Sequence, residues 1–458
     1  MLAPVQTTTT KPNSAAAQTA VNPRPYTVES GEVVLKFHRN QWRAWDSLAR
    51  IVAILAGTQG GKTSFGPAWF FREIQQRGPG DYLVAAPTYP LLGLKTIPEY
   101  IRYFQTITGV ARYVGSPTKK LIVSPAGQRM LFGKEYNDET AVYFGHAQDP
   151  DSLESMTAKA AHADECGQKK FKLGSYEAIM RRLSINEGRL LITTTPYYLG
   201  WLKTKIHDPG LHGSDPNIDL IRFRSIDNPA FPRAEWERAR QDLPAWKFDM
   251  FYRAIFTRPP GLIYDNFDEE RHTCPRFDIP PEWPRYMGQD YGGVNTAAIY
   301  IAAKPGTKKL YVYREYHAGG RTVQQHADKM LAGEPRRPRA VGGAKSEQQW
   351  RDEFKAAGLP VEEPPISEVE VGIDRVYGCF ARDELIIFDD LLLLRDELAS
   401  YSRELTEEGE PTEKIEDKNE YHLLDALRYI ISKLRKSRPG AAVIASGKTK
   451  GWQPTLTR

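Results

Sequence analysis

The sequence predicts an α/β protein of two domains: an N-terminal P-loop NTPase domain on a mostly parallel sheet, then a second α/β domain of different strand pattern. Three observations carry this. Between about residues 33 and 255, short apolar runs alternate with helical stretches: "RIVAILAG", "DYLVAAPT", "TAVYFGHA", "AAHAD" and "RLLITTTP". That alternation is the texture of strand–helix units covering both faces of a sheet. The first run leads into a glycine-rich turn that ends in lysine and threonine. Beyond a proline-crowded stretch, three strand patterns follow one another directly. At 458 residues the chain exceeds what one ordinary core organises, so two domains are expected.

Taken in order, residues 1–28 are rich in Thr, Ala, Pro and Asn without an apolar period, and are expected to be a disordered arm. The P-loop domain is expected over 29–257 and a linker over 258–285, where proline and turn residues crowd. The second domain is expected over 286–437. Its three strands, "YMGQDYGG", "TAAIYIAAK" and "KKLYVYREYH", precede a helix at 322–333, a short strand "RAVGGA" and a helix near "SEQQWRDEFKAAG". "DELIIFDD" and helices around 391–405 and 420–436 complete it. Residues 438–458 read as a flexible basic tail. No internal repeat is present.

Composition bounds the partners. With 41% hydrophobic and 26% charged residues, the chain reads as a soluble globular protein. No apolar run has the length of a membrane span, and the N-terminus lacks the order of a secretory signal. Cys166, Cys274 and Cys379 lie far apart, which fits a reducing cytoplasm and not a zinc site. The net charge of +5 is compatible with an anionic partner but does not specify nucleic acid.

In "ILAGTQGGKTS", Gly57, Thr58, Gln59, Gly60 and Gly61 would turn backbone N–H groups inward around phosphates. Lys62 would reach the terminal phosphates of ATP, and the Thr63 hydroxyl would help hold Mg²⁺. Ala56 stands at the motif's usual first glycine. The strand before and the helix-compatible stretch after argue against a chance glycine turn. Such an enzyme also needs a carboxylate for magnesium and a base for the attacking water. Asp164 and Glu165 sit side by side at a strand end. Adjacent strand residues point to opposite faces, so Glu165 must stand where the strand breaks. A solvated loop pair is the alternative, and this strand is alanine-rich and carries His162. Thr193, Thr194 and Thr195 either sense the γ-phosphate or are simply β-formers before a proline. Gln41 either reads the adenine edge or is an exposed helical glutamine.

A second acidic group lies in the other domain. Asp290 is placed on its first strand, Glu347 just past a short strand, and Asp425 on a late helix with His422 and Tyr429 on one face. An aspartate in such apolar company is expected to be paired or to bind metal. Three converging carboxylates repel unless a divalent cation neutralises them. Two ions, Mg²⁺ or Mn²⁺, would activate water and stabilise the leaving oxygen of a phosphodiester.

Over roughly residues 33–437 the chain resembles the large subunit of tailed-bacteriophage terminase, a DNA-packaging motor and nuclease. The motifs are "GTQGGKT", Asp164–Glu165, "TTTP", "GQDYG" and "YHLLDALRYI", in this order on either side of the proline-rich stretch. The resemblance implies an ASCE-type (RecA-like) ATPase domain and an RNase H-like nuclease. It implies that Lys62 and Thr63 bind phosphate and Mg²⁺, that Asp164 supports the metal and Glu165 activates water, and that Asp290 and Asp425 hold the nuclease ions. It also implies double-stranded DNA as substrate, a portal-docked homo-oligomeric ring on the procapsid, a small terminase subunit as partner, and action in the host cytoplasm without a membrane. Where many members carry an aspartate at the middle nuclease strand, this chain has "VGGAKSE". That role is carried to Glu347, with Asp374 and Asp417 in reserve. The arginine often found inside the loop is missing, and Arg181 and Arg182 are the candidates for a trans-acting one. A DNA-repair helicase–nuclease would need a second RecA-like domain, which 256–458 does not offer. A non-catalytic DNA-binding scaffold is disfavoured because Lys62, Thr63, Asp164 and Glu165 are all present.

Overall fold

The computed structural model describes residues 25–29, 32–148, 153, 157–257, 260–292, 294–366, 368–406 and 410–435. Most of the arm expected over 1–28, and all of the tail expected over 438–458, lie outside these residues. The last part of the expected arm is a strand. Tyr26–Glu29 (β1) pairs antiparallel with Glu32–Leu35 (β2), and the buried Tyr26 ring packs edge-on against Tyr103 at 4.9 Å. One aromatic anchor outweighs the polar composition around it.

The chain forms two compact units. The first takes the residues up to Ile263 together with Arg395–Glu416; the second takes Tyr264–Leu394 and the residues from Asp417 on.

The first unit is built on eight strands: Ile51–Ala56 (β3), Asp81–Ala86 (β4), Ala111–Val114 (β5), Lys120–Val123 (β6), Ala141–His146 (β7), Ala160–Asp164 (β8), Arg189–Thr194 (β9) and Ile218–Phe223 (β10). Their order is β10-β3-β9-β8-β4-β7-β6-β5. The strands from β10 to β7 are parallel, and β6 and β5 close one edge antiparallel. Every residue of β3 is buried, as expected of a strand covered on both faces. The P-loop strand and the acidic strand are not neighbours, because β9 lies between them. This is the ASCE arrangement. Helix Lys62–Arg77 continues from the loop. Its Glu73, 1% exposed, is held by Arg189 at 2.6 Å and Arg77 at 3.0 Å, so the buried charge is paired.

Residues 395–416 return to the first unit after most of the second has been made. The Asp396 carboxylate accepts hydrogen bonds from the Trp201 backbone N–H at 2.7 Å and the Tyr198 hydroxyl at 3.4 Å. Lys169 Nζ meets Glu416 at 2.5 Å and Ser402 at 3.1 Å. Burial pushes the Asp396 carboxyl up to about 6 from 3.8. A raised carboxyl pKa gives stability that is complete below the unfolded value and is lost as pH rises through the folded one. The separation from 3.8 to about 6 corresponds to on the order of 3 kcal/mol. Asp396→Asn should therefore flatten the fall in melting temperature between pH 4 and pH 7 relative to the native chain. Parallel melting curves over that range would show otherwise.

The second unit carries Thr273–Cys274 (β11), Arg285–Tyr291 (β12), Asn295–Ala303 (β13), Leu310–Gly319 (β14), Arg339–Gly342 (β15), Val361–Glu362 (β16) and Leu385–Phe388 (β17). The order is β11-β17-β14-β13-β12-β15-β16. A central antiparallel meander, β12 to β14, is flanked by parallel pairings to β15 and β17, which is an RNase H-like sheet. The stretch expected to be a linker is largely part of this unit. From Tyr264 on, Phe267 packs on Phe380 at 5.2 Å and β11 joins the sheet beside β17. Prolines stop helices, but they do not stop aromatic side chains from anchoring a coil. Past helix Leu392–Ser400, the chain forms a small hairpin, Arg403–Leu405 (β18) with Pro411–Ile415 (β19), instead of continuing as helix. Among the described residues, no helix is long and apolar enough to cross a membrane.

Candidate active sites

The first site is a cavity of about 640 Å³ lined by loop residues Thr58–Ser64, by Glu165, Thr195 and Tyr197, and by Lys95 and Asn228. Gly61 begins the helix at φ +84°, a left-handed conformation that a side chain would strain. The loop is tied down from outside. Asn228 Nδ2 donates to the Gln59 carbonyl at 2.8 Å, and Ser225 Oγ to that of Thr58 at 2.6 Å. Lys62 Nζ donates to the Ala56 and Gly57 carbonyls at 2.8 and 2.9 Å and to Thr195 Oγ1 at 3.0 Å. Burial lowers its pKa to about 8, against the opposing pull of Glu165 and Asp164.

Glu165 has φ +54°, so the strand breaks at this residue, and its side chain reaches the cavity while Asp164 points inward. Tyr197 donates to Glu165 Oε2 at 3.1 Å. Asp164 is fully buried, with Thr96 Oγ1 donating to Oδ2 at 2.8 Å and Thr193 Oγ1 to Oδ1 at 2.7 Å. Burial raises both carboxyls, and the Asp164 charge raises Glu165 further. His162, the odd residue of this strand, links Tyr100 (2.8 Å) to Thr193 (2.6 Å), and burial pushes its pKa down to about 3. A neutral imidazole thus completes a buried polar chain ending on Asp164, which satisfies each member.

The threonines divide their work. Thr193 serves Asp164, and Thr194 Oγ1 accepts from the Gly167 N–H at 2.7 Å. Thr195 alone of the three lines the cavity. Of the three threonines read as either γ-phosphate sensors or plain β-formers, Thr194 is thus turned to Gly167 and Thr195 to the cavity. Gln41 is not the exposed helical glutamine of its second reading. It is buried, its amide donates to the Gly61 carbonyl at 3.0 Å and its oxygen accepts from the His38 N–H at 3.1 Å. It braces the loop and does not line the cavity. Arg181 and Arg182, the candidates for a trans-acting arginine, stand in the last turn of helix Leu173–Leu183.

The second site is a cavity of about 650 Å³ lined by Asp290, Asn295, Lys418, His422 and Asp425 among others. Asp290 Oδ2 meets His422 Nδ1 at 2.8 Å, a bond that raises the imidazole's pKa. Asp425 pairs with Arg428, three residues on; burial nonetheless raises its carboxyl, and the Asp290 charge adds to this. Glu347 ends the 3₁₀ turn Lys345–Glu347 after β15 and accepts from the Ala344 N–H at 2.5 Å. Burial raises it first, then the charges of Asp290 and Asp425, so the three acids share one electrostatic neighbourhood. Asp374 lies exposed on helix Val369–Ala381, and its charge acts on Arg375 and Arg382. Asp417 is exposed at φ +49°, and neither it nor Asp374 lines the cavity. Among the described residues, no three His, Cys, Asp or Glu groups close into a compact metal cage. The donors nevertheless suit a hard divalent ion. They are carboxylate oxygens that repel one another, two of them balanced by His422 and Arg428.

No family model matches the sequence. The large terminase subunit of Escherichia phage T5 is 23% identical over 271 residues, 55% of this chain and 59% of that relative. The chain resembles phage large terminases. The match spans less than two thirds of the T5 subunit's length. Among solved structures, the large terminase of a thermophilic bacteriophage is 18% identical, covers 87% of this chain and 98% of its own, and gives a TM-score of 0.42. The HK97 bacteriophage large terminase is 13% identical over 90% of this chain and 97% of its own, with a TM-score of 0.46.

One determinant of the second site in this terminase-like chain escaped the sequence reading. Gly288, two residues before Asp290, faces the helix His422–Leu434 so closely that an added Cβ would lie 2.0 Å from the Ala426 carbonyl oxygen. Only a glycine lets that helix settle on β12 and bring Asp425 toward Asp290. Gly288→Ala should cost about 1–3 kcal/mol of stability through overpacking and impair whatever chemistry the two aspartates share. A melting curve unchanged from the native chain would refute this.

Proposed function

We propose that the chain is the motor subunit of a phage genome-packaging machine, hydrolysing ATP to move double-stranded DNA into a procapsid and cutting the concatemer with metal-dependent nuclease chemistry. One observation carries the reading. Two separate cavities lie in two separate units, one made by a phosphate-binding loop facing Glu165, the other by Asp290 and Asp425 with Glu347 near them.

At the first site Thr63 would hold the nucleotide's metal, backed by the buried Asp164 that Thr96 and Thr193 hold in place, and at the second Asp290, Asp425 and Glu347 would hold two ions. Bound there, Mg²⁺ (or Mn²⁺ at the second site) would offset phosphate charge and, as a pair, activate water and steady the leaving oxygen of a phosphodiester. The chain's own groups do the rest. Loop N–H groups and Lys62 bind the phosphates, Glu165 takes the proton of the attacking water, and Tyr197 orients Glu165. The portal and the small terminase subunit are the expected partners, with the chain acting as a homo-oligomeric ring in the host cytoplasm.

The test is phosphate release with and without double-stranded DNA, beside conversion of supercoiled plasmid to nicked and linear forms with Mg²⁺ or Mn²⁺ and with chelator. DNA-stimulated hydrolysis and chelator-sensitive cutting are expected; the absence of both would overturn the reading. DNA affinity should also fall steeply with salt, because phosphate contacts release counterions. Binding unchanged between about 50 and 200 mM salt would contradict a backbone-gripping motor.

A further inference from the structure

Among the described residues, the first cavity has two cationic side chains in its lining, Lys62 and Lys95. Lys62 belongs to the loop. Lys95 comes from the segment after β4, where Leu92–Thr96 winds as a π-helical turn between short helices at Tyr89–Leu91 and Ile97–Ile101. Such turns re-aim side chains within a helical run and recur at functional sites. Here the turn has a visible effect. Thr96 is buried and donates its hydroxyl to Asp164, which fixes the segment against the acidic strand. Lys95, one residue earlier, is left exposed at the cavity. It has no hydrogen-bond or ion-pair partner among the described residues. Nearby Glu99 is already paired with Arg102.

The charge of Lys95 reaches the reacting groups. Burial dominates the shifts of Lys62, Asp164 and Glu165, and Lys95 adds to the first and opposes the other two. Phosphoryl transfer gathers negative charge on the terminal phosphate oxygens, and its catalysts place a second cation there besides the loop lysine. Among the described residues, no arginine lines this cavity.

We propose that Lys95 is that second cation, a catalytic residue contacting the terminal phosphate of bound ATP from the segment after β4, apart from the loop that carries Lys62. The proposal rests on the ATPase reading above. In the step it serves, the oxygen of water forms a bond to the γ-phosphorus while the bond from that phosphorus to the β–γ bridging oxygen breaks. The water proton passes to Glu165, and ADP leaves with the bridging electron pair. Lys95 stabilises the charge spread over the three γ oxygens and transfers no proton.

The test uses the full chain with Lys95→Ala, Lys95→Gln and Lys95→Arg, measuring kcat and KM for ATP, affinity for ADP and affinity for ADP–aluminium fluoride. Loss of a preorganised cation should lower kcat roughly 100-fold in the alanine and glutamine variants. ADP affinity should stay within about threefold, while ADP–aluminium fluoride affinity falls with kcat. Lys95→Arg should recover much of the rate. The proposal is overturned if Lys95→Ala keeps the native kcat, or if ADP and ADP–aluminium fluoride weaken equally, which would mark general electrostatics. Failure of the native chain itself to hydrolyse ATP would instead overturn the ATPase reading, and the native control separates the two results.

Discussion

Lys62→Ala should abolish ATP hydrolysis, with a loss of about 1,000-fold or more, because the loop lysine offsets charge on the transferring phosphate. The side chain is nearly buried and held by two loop carbonyls and Thr195. Its removal therefore takes away a fixed charge and not a wandering one. Glu165→Gln makes the complementary case. It keeps the shape that Tyr197 contacts and removes the group that accepts the water's proton, so ATP should still bind while turnover falls by about 100-fold or more. Because burial brings the Lys62 pKa to about 8, ATP affinity of the nucleotide-free protein should weaken as pH rises past that value. Phosphate release and fluorescent-nucleotide binding on the same preparations would check all three. Native turnover in either variant would remove the loop or the acid pair from the mechanism.

Asp290→Asn should cost two or more orders of magnitude in DNA cutting while leaving ATP hydrolysis near its native rate. The substitution preserves size and removes one charge from a group of three. Asp425→Asn and Glu347→Gln should behave alike, since Glu347 is electrostatically joined to both aspartates. Asp374→Asn and Asp417→Asn serve as controls. Both carboxylates are exposed and outside the cavity lining, so both variants should cut at the native rate. Plasmid nicking beside phosphate release decides the matter, and native cutting by Asp290→Asn would end the case for a second site.

What the sequence disclosed follows from how local each signal is. The loop from Gly57 to Thr63, the Asp164–Glu165 pair and the placements of Asp290 and Asp425 are short motifs set by one strand end or one helix face. Even the break in the strand at Glu165 followed from the rule that neighbours alternate faces. What stayed hidden depends on partners far away in the chain. Thr96 finds Asp164 across 68 residues and His162 finds Tyr100 across 62. Whether Thr194 or Thr195 faces the cavity is a matter of one residue in phase, which a run of three threonines does not encode. That Gln41 braces the loop was in neither reading of it, because its partner, the Gly61 carbonyl, lies 20 residues further along the chain.

The return of residues 395–416 changes what a fragment of this protein is. The chain passes between the units at 263/264, 394/395 and 416/417, so neither unit is one continuous stretch of gene. A product ending near residue 263 lacks the carboxylate that receives the Trp201 N–H and the partners of Lys169. A product starting at 264 carries those residues with nothing to fold them against. The two halves are therefore suited to fragment complementation: expressed apart, each is incomplete, and mixed, the later half supplies the missing piece of the earlier one. For the same reason, exchange of either unit with a relative by a single recombination joint would break the fold, whereas joints at all three crossings would preserve it.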